Sequence, residues 1–281
     1  IASIGGGPAG LYTAILAKRA FPQAEIDVYE RNSADDTFGW GVVFSAETLG
    51  HFRDRDAPSH DAIVEQFIYW DDTETHLDTD GGACVRSTGH GFCGMSRRKL
   101  LLLLQARAAE LGVRLHFESP VRLEDVRASA DLVLACDGVN SAVRDELADV
   151  FQPDLDWRKC KFSWLGTTMP MDAFTFLFRE NEHGVFNVHA YPFEEGLGTF
   201  IVECHEDVWA AAGLDALDEE QTIAYFAALF ADHLKGHRLL GNRSIWRTFP
   251  TVKNARWHHE NIVLLGDAAH TAHFSIGSGT K

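Results

Sequence analysis

The fold of this chain is decided by its first stretch, Ile1-Ala2-Ser3-Ile4-Gly5-Gly6-Gly7-Pro8-Ala9-Gly10. A short apolar strand runs into glycines with the spacing G-x-G-x-x-G, and a helical run follows. In such a turn Gly5 allows the tight bend, Gly7 lets the backbone approach a pyrophosphate, and Gly10 lets the helix pack on the strand. A second strand ends at Glu30, where an acid accepts hydrogen bonds from a ribose. The stretch therefore predicts an adenine-dinucleotide site, and it leaves NAD and FAD open.

The start of the predicted helix adds further contacts to this site. A helix that begins at Pro8 and Ala9 presents free N–H groups and the positive end of its dipole to the phosphates. We therefore place Pro8, Ala9 and Arg31, which follows the acid, among the predicted cofactor-binding residues. A glycine turn without any ligand is the alternative explanation.

Composition and charge narrow the class of protein. The chain has 281 residues, of which 46% are hydrophobic and 23% charged, as in an ordinary soluble globular protein. A net charge of −16 argues against nucleic acid as a partner, because phosphate repels it. No apolar run approaches the roughly 20 residues that span a bilayer. Five cysteines without a C-x-x-C motif indicate reduced thiols. We expect a cytoplasmic protein with no signal peptide and no membrane segment.

Two later strands end in the same way as the first. Residues 131–136 form a predicted buried strand that runs into Asp137-Gly138, and residues 261–265 run into Gly266-Asp267. Ligands of open α/β sheets bind at the carboxyl ends of the strands. All three turns are therefore expected on one edge of one sheet.

Between these motifs the pattern changes to long strands with alternating apolar and polar residues, which predicts an antiparallel sheet with one face buried. We expect residues 158–243 to form a substrate-covering sheet. It would interrupt a dinucleotide-binding domain made of residues 1–157 and 244–281. The chain starts without Met inside a strand and stops in a glycine-rich loop. We therefore expect a fragment whose cofactor domain continues past residue 281.

The third turn favours FAD over NAD. The ribityl hydroxyls of FAD need a carboxylate, and the N1–C2=O edge of the reduced ring needs a helix N-terminus. Asp267, with a predicted helix start near Gly277 and Gly279, would supply both. An NAD dehydrogenase has no use for this element.

A glycine pair lies after the second strand. Gly39 and Gly41 are flanked by aromatic residues and free the backbone locally. They indicate either backbone that lies close to a flat cofactor ring or a glycine-hinged strand with core aromatics. Gly41 is kept among the candidate cofactor contacts.

The three motifs, in this order, resemble the fingerprints of the single-component (group A) flavoprotein aromatic hydroxylases. The resemblance implies the para-hydroxybenzoate hydroxylase fold, an α/β chain with a Rossmann-like FAD-binding domain and an inserted antiparallel β-sheet substrate domain. It implies that the turn at Gly5 holds the ADP part, that Asp137 and Gly138 serve FAD and NADPH, and that Asp267 holds the ribityl chain. Arg97 matches the family's Arg-x-x-Leu helix that contacts FAD, and Ser96 is the predicted N-cap of that helix.

The resemblance also implies a reaction. NADPH or NADH reduces FAD, oxygen adds at C4a, and the flavin hydroperoxide hydroxylates a small, electron-rich aromatic substrate. Residues 36–45, 87–92 and 270–281 look most like the branch of salicylyl-CoA 5-hydroxylase and anthraniloyl-CoA monooxygenase. The hydroxylase of violacein synthesis shares several of these stretches. An aryl-CoA substrate is therefore expected, with a tryptophan- or indole-derived intermediate or a carrier-bound aryl acid as alternatives.

Candidate catalytic groups are few. His273 lies where many relatives carry a Pro-Pro pair beside the flavin, and an imidazole that titrates near neutral pH suits proton transfer there. His189 and Tyr191 alternate on one predicted strand and therefore share a face. A loop-holding role for His273 and a solvent-facing position for the other two are the alternatives. The family's substrate-site details do not transfer directly, because His273-Phe274 departs from its pattern.

Basic residues are the last candidate contacts. Arg158, Lys159 and Lys161 form a cluster that could bind CoA phosphates or simply be solvated. No metal is expected, because the adjacent residues His258-His259-Glu260 cannot easily close on one ion.

Other classes of protein fit the sequence less well. A flavin disulfide reductase would need a second glycine-motif domain for NADPH and a redox cysteine pair, and a flavin halogenase would need a W-x-W motif. This sequence contains none of these. A dinucleotide-binding sensor without turnover is the non-enzyme alternative.

Overall fold

The computed structural model describes residues 1–37, 39–78 and 82–272, with the backbone alone at 46 and 47. The strands within these ranges are β1 (Ala2–Ile4), β2 (Asp27–Tyr29), β3 (Gly41–Phe44), β4 (Ile68–Trp70), β5 (Asp72–Asp78), β6 (Ala83–Ser87), β7 (Phe92–Ser96), β8 (Arg114–His116), β9 (Val133–Ala135), β10 (Pro153–Thr167), β11 (Ala173–Asn181), β12 (Gly184–Glu194), β13 (Leu197–His205), β14 (Leu239–Leu240), β15 (Arg247–Asn254), β16 (His258–His259) and β17 (Ile262–Leu264). The helices are α1 (Pro8–Ala20), α2 (Ala46–Arg55), α3 (Ala57–Val64), α4 (Arg97–Glu110), α5 (Leu123–Arg127), α6 (Ala142–Glu146), α7 (Ala148–Phe151), α8 (Glu206–Ala211), α9 (Glu219–Leu229) and α10 (Ala231–Leu234). Two 3₁₀ turns span Leu214–Ala216 and Gly266–Ala268. Among the helices described, none is long and apolar enough to cross a membrane.

The first sheet is the predicted dinucleotide-binding sheet. Its strand order is β16-β17-β9-β1-β2-β8, and all neighbouring pairs are parallel except β16 with β17. Taken in chain order, the five parallel strands have the spatial order 3-2-1-4-5 of a Rossmann fold. Helix α1 packs Leu11, Ala14 and Ile15 without exposed surface into the adjoining core. The predicted Rossmann-like fold is therefore confirmed.

The second sheet is the predicted antiparallel insert, and it is larger than expected. Strands β14-β10-β13-β12-β11-β5-β6 lie in this order, with β15 paired to β10. Most pairs are antiparallel, but β5 runs parallel to β11. Strands β5, β6 and β15 come from outside residues 158–243. The sheet therefore does not coincide with the domain division proposed from the sequence.

The two faces of this sheet have different neighbours. One face packs Phe186 and Phe200 against Phe226 and Phe230 of the helical layer that includes α9. On the opposite face, four cross-strand partners form one row across β10, β13, β12 and β11, namely Trp164, Ile201, His189 and Phe176. Phe174 and Tyr191 lie on the same side. The aromatic face is defined by Trp164, Phe174, Phe176, His189, Tyr191 and Ile201. Strand β12 also contacts β3 and β7 of a third, three-stranded sheet with the order β3-β7-β4.

Helix α4 begins where the sequence predicted, but its first N–H groups are satisfied differently. Ser96 occupies the N-cap position, yet its side chain makes no capping hydrogen bond. Instead the Arg97 N–H donates to the carbonyl oxygen of Trp40 at 2.8 Å. Leu100 and Leu104 of this helix are buried in the core. This helix start is thus tied to the loop before β3.

Candidate active site

Three turns meet at one edge of the parallel sheet. The last residues of β1, β9 and β17 are Ile4, Ala135 and Leu264, and they lie side by side in register. The turns that follow these three strands therefore lie next to one another at the carboxyl edge of the sheet. The prediction that the three motifs share one sheet edge is confirmed.

The glycines of the first turn differ in what surrounds them. Gly5 has a φ of +110°, and a Cβ there would lie 2.2 Å from the carbonyl oxygen of Cys136. A Cβ on Gly10 would lie 2.2 Å from the Gly5 carbonyl oxygen. A Cβ on Gly7 would have no described atom within 4 Å. Gly5 and Gly10 are thus required by packing, whereas Gly7 borders open space at the start of α1, where a phosphate can approach.

The acid after β2 is held by the turn. The two Glu30 carboxylate oxygens accept the N–H groups of Gly6 at 3.0 Å and Asn32 at 2.9 Å. Each oxygen keeps a lone pair for a ribose hydroxyl. Arg31 beside it is exposed. Glu30 is therefore oriented for the role predicted from its spacing.

The second turn contains an unsatisfied carboxylate oxygen. Asp137 Oδ2 accepts the Val143 N–H at 3.2 Å, while Oδ1 is buried and has no partner in the described part of the chain. Gly138 follows with a φ of +86°, and a Cβ there would again meet no described atom within 4 Å. A buried acceptor without a donor is costly. A hydroxyl or amide donor on a bound dinucleotide would satisfy it, so these residues fit the cofactor.

Asp267 and Arg97 are brought together across the cleft. Asp267 is accessible from the cleft, yet the surrounding protein removes enough water to raise its carboxyl pKa, and Arg97 opposes this effect. Desolvation lowers the pKa of Arg97, while Asp267 and Tyr191 counter it. The Arg97 Nε donates to Thr37 Oγ1 at 3.2 Å, and its guanidinium lies 5.9 Å from the Trp164 ring centroid. Arg97 therefore lies close enough to the third turn for its charge to act on Asp267.

Gly41 is clamped by the large sheet. The Tyr191 hydroxyl donates to the Gly41 carbonyl oxygen at 2.9 Å, and the Gly41 N–H donates to Thr199 Oγ1 at 3.1 Å. A Cβ on Gly41 would lie 2.5 Å from the Cβ of Phe193. This contact alone accounts for the glycine, so its approach to a cofactor ring stays a proposal. Burial raises the pKa of Tyr191 to about 12, so the phenol is a neutral donor.

A buried polar group lies within the aromatic face. His189 is 6% exposed, and its Nε2 lies 3.1 Å from the Asn187 amide nitrogen and 3.6 Å from Glu203 Oε2. The Phe176 ring packs edge-on against the imidazole, with 5.2 Å between ring centroids. An imidazole beside a carboxylate can exchange a proton with a substrate while the carboxylate stabilises the imidazolium.

The sequence named His189 and Tyr191 but missed Asn187 and Glu203. The two-residue spacing of Asn187, His189 and Tyr191 on β12 was the available signal for Asn187. Glu203 is placed by the register of β12 with β13, in which it lies opposite Asn187. That register is not visible in the sequence.

A cavity of about 450 Å³ lies between the loop after β2, the start of α4 and the turn from β12 to β13. Its lining includes Gly39, Trp40, Phe193 and Asn242. Ion pairs Arg98–Asp35 and Lys99–Glu194, each at 3.0 Å, lie at or beside its rim. The cations at the start of α4 thus have carboxylate partners, which accounts for their place at the positive end of a helix dipole.

The predicted basic cluster does not converge on one point. Arg158 pairs with Asp156 at 3.0 Å, and Lys161 donates to Thr248 at 2.9 Å. Lys159 is exposed on the same strand. Their role as phosphate contacts stays a proposal. His273, Gly277 and Gly279 lie outside the described residues.

The fold and this site define a class of protein. A Rossmann-like sheet with three ligand turns, covered by an inserted sheet with an aromatic face, is the architecture of flavoproteins with the para-hydroxybenzoate hydroxylase fold. The chain belongs to the FAD binding domain family, which matches residues 1–280. The resemblance to flavoprotein aromatic hydroxylases and the assignment of FAD as cofactor are therefore confirmed.

Individual relatives agree with this family. Salicyloyl-CoA 5-hydroxylase of a Streptomyces species is 45% identical over all of this chain, which spans 55% of that protein's length. Protodeoxyviolaceinate monooxygenase of Chromobacterium violaceum is 35% identical over 99% of the chain and 74% of its own length. Among solved structures, 2-methyl-3-hydroxypyridine-5-carboxylic acid oxygenase superposes with a TM-score of 0.76 at 20% identity, covering 99% of this chain and 77% of that one. The last similarity concerns the fold.

Proposed function

We propose that this chain is the FAD-binding and substrate-covering part of a monooxygenase that hydroxylates an aromatic ring carried as an aryl-CoA thioester, with NADPH or NADH as the reductant and molecular oxygen as co-substrate. The proposal deepens the family assignment by naming a reaction and a substrate class. The cysteines are free, in keeping with a cytoplasmic location.

One observation carries the reaction type, namely the aromatic face with its His189–Glu203 pair. Strand β12 turns His189 and Tyr191 to the side on which Tyr191 bonds Gly41, beside Arg97 and the third turn. Phe174 and Phe176 stack at 4.8 Å between centroids on the same side. Aromatic side chains bind a flat ring through offset and edge-on contacts. A ring held there would lie next to the flavin end of the cleft.

The residues that would hold FAD follow from the site. The turn at Gly7 and the start of α1 would hold the pyrophosphate, Glu30 the ribose, and Asp137 and Asp267 the polar groups further along the cofactor. Bound FAD supplies the redox chemistry and the activated oxygen. The protein's own part is to orient the ring against the aromatic face and to exclude water from it.

Proton transfer falls to His189 in this proposal. Hydroxylating a phenolic ring is easier once the ring's hydroxyl has given up its proton, and the new C–OH carbon must also lose one. The imidazole of His189 accepts the proton of the ring hydroxyl. The Glu203 carboxylate near its Nε2 stabilises the resulting imidazolium. The neutral Tyr191 hydroxyl keeps its bond to Gly41 and positions the loop.

The thioester is proposed from the similarity to the salicyloyl-CoA hydroxylase. Arg158, Lys159 and Lys161 are the candidate phosphate contacts, although two of them already have polar partners. A tryptophan-derived or carrier-bound substrate is the alternative outcome of the test below.

The decisive experiment is turnover by the full-length, FAD-loaded protein. NADPH and NADH oxidation and hydroxylated product would be measured with salicylyl-CoA, anthraniloyl-CoA, the free acids, the carrier-bound acids and tryptophan. Product from the thioesters alone supports the proposal. Product from an indole compound or a carrier-bound acid alone would assign the enzyme to that substrate class and refute the aryl-CoA assignment. Flavin-loaded protein that forms no hydroxylated product from any of them refutes the proposed reaction.

A further inference from the structure

A group of three potential metal ligands lies on the β5–β6 hairpin, at the far edge of the large sheet. Glu74 and His76 are two residues apart on β5 and therefore share a face. Cys84 on β6 is the direct cross-strand partner of His76. Across β11, Glu74 and His76 pair with Thr175 and Leu177, on the face opposite the aromatic face. The group is therefore separate from the flavin site.

The three donor atoms already have the spacing of a metal site. Glu74 Oε1 lies 3.1 Å from Cys84 Sγ and 3.2 Å from His76 Nε2, and the sulfur lies 3.9 Å from the same nitrogen. Ligands of tetrahedral zinc, at about 2.0–2.3 Å from the ion, are separated by about 3.3–3.6 Å. Each observed separation is within about half an ångström of that range.

We propose that Glu74, His76 and Cys84 bind one Zn²⁺ ion, with water at the fourth position. A thiolate, an imidazole and a carboxylate are the donors that zinc combines, whereas magnesium and calcium select oxygen ligands. The two negative donors balance the charge of the ion. Cys84 is exposed, so the fourth position opens to solvent.

Neighbouring side chains hold two of the ligands in place. Arg86 Nη1 lies 3.9 Å from Glu74 Oε2, the carboxylate oxygen not used in the group, and Arg86 Nε bonds Asp72 at 2.6 Å. The His76 ring packs edge-on against His233 with centroids 5.0 Å apart. Such outer contacts orient metal ligands and tune their affinity.

A second group nearby does not share this arrangement. Asp78, Asp232 and His233 also lie close together, but the Arg179 guanidinium bonds both carboxylates, at 2.7 to 2.8 Å. A cation therefore already occupies the position of an ion. The proposal is confined to Glu74, His76 and Cys84.

The ion would join β6, whose residues are all exposed, to β5. Because it binds the paired strands and not the unfolded chain, it should raise the melting temperature of the protein with increasing zinc. This role is independent of flavin chemistry and of the substrate.

The test is metal binding by the flavin-loaded full-length protein after chelator treatment. Zinc is measured by dialysis and elemental analysis, and Co²⁺ serves as a spectroscopic probe for a thiolate ligand. We expect one zinc per chain and a sulfur-to-cobalt charge-transfer band. Cys84→Ser and His76→Gln should each weaken zinc binding by more than the roughly 10- to 100-fold typical of losing an outer contact, and Cys84→Ser should abolish the band.

Cys160→Ser is the matched control, because this partly exposed thiol lies on β10, outside the group. It should keep both the zinc and the cobalt band. The proposal is overturned if the wild-type protein holds no stoichiometric zinc, or if Cys84→Ser retains zinc with unchanged affinity. Flavin content of each variant shows independently that the fold is intact.

Discussion

The hydroxyl of Tyr191 donates a 2.9 Å hydrogen bond to the carbonyl oxygen of Gly41, across 150 residues of sequence. Thr199 on the next strand accepts the Gly41 N–H, so both polar groups of one glycine are bound by the large sheet. This clamp ties the aromatic face to the start of β3, where Gly41 pairs with Ser96, the residue before α4. The position of β3 therefore depends on contacts between the large sheet and the three-stranded sheet.

Tyr191→Phe tests the clamp. The variant keeps the ring that stacks 6.2 Å from Trp70 but leaves a buried carbonyl oxygen without its donor. We expect a loss of about 1–2 kcal/mol in unfolding free energy and a melting temperature lower by a few degrees. Thermal unfolding with and without FAD measures it, with Tyr225→Phe on α9 as the control for removing a partly buried hydroxyl. An unchanged melting temperature would show that the bond contributes nothing.

Gly7→Ala and Gly10→Ala separate cofactor contact from packing. Gly7 has an ordinary φ of −73° and open space at its Cβ position, so the alanine variant should unfold within about 0.5 kcal/mol of the wild type in the absence of FAD. It should bind FAD at least about 10-fold more weakly, because the methyl group meets the pyrophosphate. Fluorescence titration of the flavin measures this affinity.

Gly10→Ala should behave in the opposite way. Its Cβ would lie 2.2 Å from a backbone oxygen and 2.9 Å from Ser3 Oγ, so the apoprotein should lose about 3 kcal/mol or more. If Gly7→Ala destabilised the apoprotein as much as Gly10→Ala, the assignment of Gly7 to ligand contact would be wrong.

His189→Gln tests the proposed proton transfer. Product formation should fall by about 10²- to 10⁴-fold, while flavin content and NADPH oxidation persist, because the imidazole acts on the substrate. Glu203→Gln should lower product formation less and shift its pH profile, since it acts through His189. Product and reductant consumption are measured together across a range of pH. His183→Gln, at the turn between β11 and β12, is the control. Equal product from wild type and His189→Gln contradicts the role.

Asp56→Asn tests the buried ion cluster between α2, α3 and α4. Asp56 is fully buried and accepts bonds from Arg107 Nε at 3.0 Å, Arg107 Nη2 at 2.9 Å and Ser59 Oγ at 2.6 Å, with Arg19 at 3.1 Å. Desolvation alone would raise the pKa of this carboxyl, but the hydrogen bonds outweigh it and hold the pKa well below its ordinary value of 3.8.

The sign of the pH dependence follows from that lowered pKa. The carboxylate stabilises the folded state above the unfolded pKa, and this stabilisation is lost as the pH falls through the folded pKa. At pH 7 the Asn variant should therefore be about 3 kcal/mol less stable, the lower end for removing one partner of a buried pair, because both arginines reach solvent. Urea unfolding at several pH values should show the gap narrow below about pH 4. A gap that stays constant with pH would exclude the mechanism.

Several features were predictable because they depend on neighbours in the chain. The spacing of Gly5, Gly7 and Gly10 predicted a turn whose geometry the structure reproduces. The positions of Asp137 and Asp267 at the carboxyl ends of buried strands were predictable, because each follows a short apolar run in the sequence. The face shared by His189 and Tyr191 followed from strand alternation. In each case the backbone period and local sterics are sufficient.

Other features were not predictable because they depend on register between distant strands. Nothing in the sequence places Glu203 beside His189 or Cys84 opposite His76. The choice between a cofactor contact and a hinge at Gly41 was also open, and the approach of Phe193 supplied the packing reason for the glycine. The size of the large sheet was missed for the same reason, since β5 joins β11 across about a hundred residues.

The sequence by itself therefore determined the dinucleotide fold, its three ligand turns and the family of the protein, because short-range spacing encodes them. Only the tertiary structure decided which side chains meet, including Arg97 with Asp267 and Tyr191 with Gly41. Those meetings depend on how sheets pack, and packing is the sum of many long-range contacts that no single stretch of the chain contains.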